Sequence, residues 1–463
     1  MVSGSESAEP VKGRWVLAAV SMALFCVQID YFAANLALPR MASDLNSTPS
    51  DLQWVISVYM LTLGAFMVPA GRIGDIFGRR KALMAGIALF GLASALCAVA
   101  PSVPLIVAFR ALQGLGAALI FPVSVSVLTN AFPAVKASHA IGLAYGIAGL
   151  GNAAGPLIGG LLTDTVGWRW IFWLNVPLTV VSLALGAWSI GESSDETAPR
   201  RLDITGLALI TVGIGLFTLT FDRAPHWGWV SVPTVVAFAG SLAALSLFVV
   251  VENRAPWPLV NLSLVRDARF AVLVIVGATA NIAYAVAIFL STLNLQQVRA
   301  LDPLMAGLVF LGPSAGAALG GVLSGRLTAD RSPLLVMGLT SGAAAISLAA
   351  LAASGEWIVY LPALSACGFT LGLLYAFTTV ATQAVVRPER AGEAAGVTLT
   401  ALVTLAGVGV AVSGTVLEML ERGGQSTASA IDTILGVLAA QLLIASALVL
   451  WIARTPMASV RSR

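Results

Sequence analysis

Long apolar stretches, bounded by charged or turn-forming residues, recur along the whole chain of 463 residues. Each is long enough to form a helix that crosses a hydrocarbon core about 30 Å thick. Repeated alternation of apolar and polar positions, which is typical of a membrane-spanning barrel, does not occur. The pattern predicts fourteen transmembrane helices, near residues 15–38, 52–71, 82–100, 104–128, 139–162, 170–190, 203–221, 231–251, 271–293, 303–324, 333–353, 357–383, 394–417 and 430–453.

The distribution of basic residues indicates how these helices are oriented. An even number of spans places both ends of the chain on one side. If that side is the cytoplasm, the inner loops hold nineteen of the 25 Lys and Arg residues, the outer loops hold five, and Arg110 lies within a span. Because positively charged loops stay in the cytoplasm, we expect a multi-pass protein with both termini cytoplasmic. Arginine outnumbers lysine, which suggests a bacterial genome rich in G and C. We therefore expect the bacterial plasma (inner) membrane.

Composition excludes several classes of protein. With 58% hydrophobic and 10% charged residues, the chain has too little polar surface for a soluble globule. The three cysteines all fall inside apolar runs, and only two histidines exist. No catalytic, nucleotide-binding or metal-binding motif occurs. We therefore expect no enzyme activity, no metal, no nucleotide and no nucleic acid partner.

A weak internal repeat suggests the division into domains. A basic loop bounded by glycines follows span 2 at residues 71–86, and a similar loop follows span 10 at residues 325–338. Two related halves of six helices leave two helices between them. The predicted organisation is a cytoplasmic N-terminal tail (1–14), a first six-helix bundle (15–190), a cytoplasmic linker (191–202), two additional transmembrane helices (203–251), a second cytoplasmic linker (252–270), a second six-helix bundle (271–453) and a cytoplasmic C-terminal tail (454–463).

Two charged residues lie well inside predicted spans, where charge is costly. Asp30 is the only carboxylate well inside any predicted span, and Arg110 is the only basic residue that neither interface easily reaches. A low-dielectric site disfavours an ionised carboxyl, so Asp30 is a candidate for proton coupling, and its ionised form could attract a cationic substrate. Arg110 could polarise a proton relay. Both could instead be structural, with Asp30 hydrogen-bonded through Gln28 or Asn35.

The loop predicted at residues 71–81 combines glycines, an acid and a basic cluster. Such a loop can join one half of a protein to a helix end in the other half by charge pairing and then release it. A plain positive anchor would explain the basic cluster but not the acid. The candidate gating residues are Gly71, Asp75, Gly78, Arg79 and Arg80.

Span 5 contains glycines at every fourth position, Gly151, Gly155 and Gly159, which form one smooth helical face. Pro156 removes a backbone hydrogen bond and should bend this helix. A bent, smooth helix between two halves could act as a pivot, although close packing alone would explain the glycines.

Several of these segments resemble motifs of the major facilitator superfamily, in particular its fourteen-helix drug:proton antiporter branch. The resemblance is carried by residues 71–83, by residues 109–119 with Arg110 as the motif's arginine, by the antiporter motif at 149–162, and by 168–178. In span 1, Asp30 and the Asn-x-Ala-Leu-Pro ending at 35–39 also match, but Phe32 stands where the branch has threonine.

The resemblance implies an all-α major-facilitator fold with two six-helix bundles and two extra helices. It also implies alternating access and export of lipophilic drugs, dyes or antibiotics against inward proton flow, hence antibiotic resistance. The implied partners are a small-molecule substrate, protons and the lipid bilayer, with a monomeric chain and no cofactor beyond the proton gradient. Because predicted spans 9–14 lack a central carboxylate, we expect monovalent, zwitterionic or neutral substrates rather than dications.

Spans 1, 4, 9 and 12 are expected to enclose a central cavity. Polar and aromatic side chains in these spans are candidates for its wall, namely Gln28, Tyr31, Gln113, Asn281, Tyr284, Tyr375 and Gln383. Two other functions remain open at this point. The fold could serve a dedicated exporter or importer of one endogenous metabolite, or a membrane sensor that does not transport.

Overall fold

The computed structural model describes residues 9–47, 49–195, 201, 203–327 and 332–454, without the side chains of some residues in these ranges. The outermost parts of both predicted tails, and residues 196–200 and 202 of the first predicted linker, lie outside the described residues. The helices are α1 (Glu9–Asp44), α2 (Pro49–Phe77), α3 (Arg79–Val99), α4 (Val103–Ala131), α5 (Ala134–Thr165), α6 (Arg169–Ser189), α7 (Ile204–Trp227), α8 (Val232–Glu252), α9 (Ser263–Arg266), α10 (Ala268–Leu293), α11 (Pro303–Val309), α12 (Leu311–Leu327), α13 (Pro333–Ala352), α14 (Trp357–Ala384), α15 (Ala391–Arg422) and α16 (Thr427–Arg454).

The predicted all-helical membrane architecture is confirmed. Thirteen helical segments of the described chain are long and apolar enough to cross a membrane, and there are fourteen if the two parts of the bent helix α5 are one span. The two parts of α5, residues 136–152 and 157–165, meet at 40°. The tenth predicted span consists of α11 and α12, which are separated at Phe310. The number of spans was readable from the sequence because lipid-facing and core positions are both apolar.

The helices extend further than the apolar runs. The predicted tail at residues 1–14 includes the first turns of α1, which begins at Glu9. The prediction of a loop at residues 71–81 is wrong, because α2 continues to Phe77 and α3 begins at Arg79. Only Gly78 separates the two helices, and its φ of 118° is a conformation that glycine adopts without steric cost. Hydropathy ends a span at the first charged residues, whereas the helix continues wherever those residues find partners in the protein.

Helices α1–α6 pack on one another to form one bundle, and helices α10–α16 pack to form another. The second bundle has its own apolar core, and the core of the first extends to Ala376, Val380, Ala395 and Leu399 of the second. Helices α7 and α8 pair as a hairpin, and α7 contacts α2 of the first bundle and α15 of the second. The exact limits assigned above to bundles and linkers remain a prediction.

The bundles meet through α5 with α12 and through α2 with α15. Small residues make the first contact possible. A Cβ atom on Gly142 would lie 2.7 Å from the carbonyl oxygen of Gly321, and one on Gly146 would lie 2.8 Å from that of Ala318. Side chains at these positions would force the backbones apart, so the glycines set how closely the two bundles approach.

Candidate functional site

Asp30 of α1 lies in the middle of the first bundle with its side chain fully buried. Its Oδ2 atom pairs with the Nη1 atom of Arg110 on α4. Its Oδ1 atom accepts hydrogen bonds from Gln113 Nε2 at 3.0 Å and from Asn175 Nδ2 at 2.8 Å. Four helix-borne side chains thus form a charge network in which the carboxylate is fully hydrogen-bonded, as a buried charge requires.

Arg110 links this network to its surroundings. Its Nε atom donates to the carbonyl of Val55 at 3.0 Å, and its Nη1 atom donates to Gln113 Oε1 at 2.8 Å. The guanidinium carbon lies 4.2 Å from the centre of the Tyr59 ring. Since Tyr59 belongs to the wall of the cavity described below, a movement of Arg110 would be transmitted directly to that wall.

Sequence reasoning found Asp30 and Arg110 but not all of their partners. Asn175 of α6 and Ser94 of α3 complete the network, and their side chains hydrogen-bond to each other at 2.9 Å. The alternative partners proposed for Asp30 do not contact it: Asn35 donates to the carbonyl of Tyr31, and Gln28 lines the cavity. The signal that could have revealed Asn175 is a lone amide inside an otherwise apolar span.

A cavity of about 420 Å³ lies between the two bundles and the hairpin. All four predicted spans contribute to it, as α1, α4, α10 and α14, together with residues of α2, α5, α7, α12 and α15. Its wall is largely apolar and aromatic. Five of the chain's six tyrosines line it, namely Tyr31, Tyr59, Tyr145, Tyr284 and Tyr375. A concave apolar site with few polar groups is the usual form of a small-molecule site.

Five of the seven proposed wall residues line this cavity and two do not. The lining residues are Gln28, Tyr31, Asn281, Tyr284 and Tyr375. Gln113 instead belongs to the charge network around Asp30. Gln383 is 8% exposed and donates to the carbonyl of Ala391 at 3.3 Å, near the far end of α14. Both placements are corrections to the proposed wall.

Asp222 is a cavity residue that the sequence reasoning missed. The seventh span was expected to end at residue 221, but α7 continues to Trp227. Asp30 is therefore not the only carboxylate within a spanning helix. Residues 218, 221, 222 and 225 fall on one face of a helix. Extending the seventh predicted span past residue 221 would therefore have placed Asp222 on the same face as its neighbours in the cavity lining.

The end of the molecule that carries the α2–α3 junction is closed by a second set of polar contacts, which we call the latch. Asp75 Oδ1 accepts from Arg79 Nε at 2.9 Å and from Ser126 Oγ at 3.0 Å. Its Oδ2 atom accepts from the backbone N–H of Glu393, in the second bundle, at 2.9 Å. Arg79 Nη2 donates to the carbonyl of Glu389 at 2.7 Å. The acid and the arginine of the motif therefore both bridge the two bundles.

Close backbone packing accompanies the latch. A Cβ atom on Gly71 would lie 2.1 Å from the carbonyl oxygen of Gly392. Arg80, in contrast, stays within the first bundle, where its Nη2 atom donates to the carbonyl of Ala187 at 2.6 Å. Of the five candidate gating residues, Gly71, Asp75 and Arg79 thus touch the second bundle. The gating role itself remains a prediction.

The glycine face of α5 packs on α1. Cβ atoms on Gly151, Gly155 and Gly159 would lie 2.9 Å, 2.6 Å and 2.7 Å from atoms of Phe25, Phe32 and Ala33, respectively. This contact lies within the first bundle rather than between the halves, which differs from the expected position. The side chain of Pro156 is outside the described part of the structure. The pivot role remains a prediction, now with α1 as the partner helix.

The profile described as Major Facilitator Superfamily matches residues 20–412. The Multidrug resistance protein Stp of Mycobacterium tuberculosis (strain CDC 1551 / Oshkosh) is 35% identical over 407 residues, covering 87% of this chain and 75% of the relative. The Tetracenomycin C resistance and export protein of Streptomyces glaucescens is 31% identical over 422 residues, covering 89% and 77%. The Methylenomycin A resistance protein of Streptomyces coelicolor is 28% identical over 426 residues, covering 90% and 89%.

Two solved structures share the fold. The human organic anion transporter MFSD10 (TETRAN) superposes with a TM-score of 0.66 at 13% identity, covering 95% of this chain and 100% of the transporter. The proton:xylose symporter XylE superposes with a TM-score of 0.64 at 15% identity, covering 96% of each chain. At such low identity the likeness concerns the fold alone.

Proposed function

Because this chain belongs to the major facilitator superfamily, a family of membrane transporters and not of enzymes, we propose that it exports small lipophilic compounds across the bacterial plasma membrane in exchange for protons. Relatives named for multidrug resistance and for antibiotic resistance and export support the direction and the kind of substrate. The multi-pass helical structure supports the location. The proposed export needs no bound cofactor and one copy of the chain.

The observation that carries this proposal is the position of Asp30. This carboxylate is fully buried and paired with Arg110, which in turn contacts the cavity wall through Tyr59. A proton on Asp30 removes its attraction for Arg110 and leaves the guanidinium as an uncompensated buried charge. Arg110 must then find other partners. We propose that this rearrangement couples proton binding to the shape of the cavity.

The latch supports alternating access. At its end of the molecule the bundles are held together by Asp75 and Arg79 and by the Gly71–Gly392 contact. The excess of basic residues in the loops on that side supports a cytoplasmic placement of this end and of both termini. The described conformation is then one closed toward the cytoplasm, and export requires the latch to open.

Transport by the purified protein in liposomes tests the function. With the cytoplasmic face outside, ethidium added outside should accumulate in vesicles whose lumen is made acidic, and a protonophore should abolish accumulation. Accumulation that instead requires an acidic exterior would indicate import. A panel of lipophilic dyes and antibiotics should give several substrates, whereas a single transported metabolite would indicate a dedicated carrier.

Asp75→Asn should weaken the latch. An asparagine side chain has one acceptor oxygen and one donor NH₂ group. It can accept from either Arg79 or the Glu393 N–H, and its NH₂ group then faces the other donor. The loss of a charged hydrogen bond of roughly 1.5–3 kcal/mol should favour opening by about tenfold or more. Lys81 and Arg387 are exposed in different bundles and can carry spin labels. Pulsed electron paramagnetic resonance should show a larger share of long distances between the two labels.

Glu192→Gln is the matched control for this change. Glu192 follows α6 and accepts from the backbone N–H of Arg80 at 3.1 Å, so it lies at the same end and bonds to the first bundle. Its replacement should leave the distance distribution unchanged. Equal distributions for Asp75→Asn and the wild type would show that the latch does not hold the closed state.

A further inference from the structure

The hairpin of α7 and α8 takes part in the cavity. Four residues of α7 line it, Thr218, Phe221, Asp222 and Pro225. Their spacing of three, four and seven positions places them on one helical face. The same helix touches α2 and α15, which belong to different bundles. The inserted pair of helices is thus more than a spacer, because it forms part of the wall that a substrate meets.

Asp222 is distinctive among the lining residues. Among the residues that the structure places around the cavity, Asp222 alone has a formally charged side chain. Its side chain is 32% exposed, and its Oδ1 atom accepts from Ser57 Oγ at 3.0 Å. Asp30, in contrast, is enclosed by its own network and does not line the cavity. The negative charge that a bound compound meets therefore comes from Asp222.

The neighbouring Arg223 forms an ion pair with this carboxylate. Its Nε atom lies 3.1 Å from Asp222 Oδ2, but the two atoms are not aligned as a hydrogen bond. Within the described chain Asp222 Oδ2 has no hydrogen-bond partner. The guanidinium carbon of Arg223 lies 3.8 Å from the centre of the Trp54 ring, outside the cavity lining. The arginine is thus held behind the wall while the carboxylate is part of it.

Aromatic rings complete the binding surface. Tyr31, Phe32, Tyr59 and Phe221 line the same cavity as Asp222. Faces of aromatic rings attract organic cations, and this attraction strengthens when the cation leaves water. A single carboxylate among aromatic and apolar walls matches one positive charge on an apolar compound. A second positive charge on the compound would find no partner of opposite sign.

We propose that Asp222, contributed by the inserted hairpin, is the specificity residue that recognises the charge of lipophilic monovalent organic cations. This inference rests on the proposed export function and adds the substrate class and the residue that selects it. Asp30 serves proton coupling and Asp222 serves charge recognition, so the two carboxylates have separate tasks. Neutral compounds use the aromatic walls without Asp222.

Export of two probes by cells that lack other efflux pumps tests the assignment. The monovalent cation ethidium and the neutral compound chloramphenicol are compared in wild type, Asp222→Asn and the matched control Asp432→Asn. Asp432 is exposed on α16 and does not line the cavity. We expect Asp222→Asn to lower ethidium export at least tenfold and chloramphenicol export less than twofold. Asp432→Asn should leave both unchanged.

The outcomes separate the two proposals. Export of neither probe by the wild type contradicts the proposed function. If Asp222→Asn leaves ethidium export intact, or if it lowers export of both probes equally, the assignment of Asp222 is overturned and the proposed function is not. If Asp222→Asn does not accumulate in the membrane, Ser57→Ala replaces it in a binding measurement. Removal of the Ser57 hydroxyl should change the Kd for ethidium at least threefold and leave that for chloramphenicol unchanged, and equal changes overturn the assignment.

Discussion

Replacing Asp30 with asparagine should abolish substrate-driven proton movement. The asparagine side chain has nearly the same shape but cannot take up and release a proton at physiological pH. Proton release on adding substrate to vesicles should therefore fall by more than about 100-fold, because a buried carboxyl is the group that would carry the proton. Substrate should still bind in the absence of a gradient, since Asp30 does not line the cavity, but its Kd should change as Arg110 alters the cavity wall.

Stability complicates this variant, and a second substitution resolves it. Asp30→Asn leaves Arg110 as a buried charge without its counter-ion, which costs about 3–5 kcal/mol in comparable cases. Arg110→Gln in the same chain removes that charge. We expect the double variant to recover thermal stability and still to lack coupling. Asp164→Asn, at an exposed position of α5, serves as control. Full proton release by a folded double variant would refute the coupling role.

Gly71→Ala should keep the latch end from closing. Its Cβ atom would lie 2.1 Å from the carbonyl oxygen and 2.8 Å from the carbonyl carbon of Gly392. Because both colliding atoms are backbone, a side-chain rotation cannot relieve the clash, and closely packed helices transmit such strain. We expect transport to fall by about tenfold or more, since the closed state is one of the two that alternating access requires.

Cysteine labelling measures this closure directly. Val68 is 3% exposed at the α2–α15 contact, and the three native cysteines are buried. In inside-out vesicles, a Val68→Cys reporter should react about tenfold faster with an impermeant maleimide when Gly71→Ala is present. Gly436→Ala is the control, because a Cβ there would have no neighbour within 4 Å. Unchanged labelling in Gly71→Ala would show that the helices close despite the added methyl group.

The sequence predicted the number of spans more reliably than their ends. Apolar runs are long wherever a helix faces lipid or core, and this property does not depend on how the helices pack. Helix ends depend on polar partners, which only the folded chain reveals. Asp75 and Arg79 look like loop residues in the sequence, yet they lie in helices because each finds a partner across the bundle interface. The same error placed Asp222 outside the seventh span.

For the site, the sequence indicated which residues are unusual but not how they combine. Asp30 and Arg110 stood out because charge inside a span is costly. Their pairing, across 80 positions of sequence, depends on how α1 and α4 cross. Gln113 was taken for a wall residue, although the same crossing turns it toward Asp30. Asn175 was missed, although it is a lone amide inside an otherwise apolar span.

The pairing of Asp30 with Arg110 has an electrical consequence. Paired, the two side chains carry no net charge, whereas a proton on Asp30 leaves one positive charge. A membrane potential acts on each transferred charge with about 2.3 kcal/mol per 100 mV. Exchange of one proton for a monovalent cation moves no net charge, so voltage supplies no work and only the pH gradient drives it. Exchange of one proton for a neutral compound is electrogenic, and the resting potential then adds to the driving force. Clamping the membrane potential at zero with valinomycin and potassium should therefore slow export of chloramphenicol and leave that of ethidium unchanged.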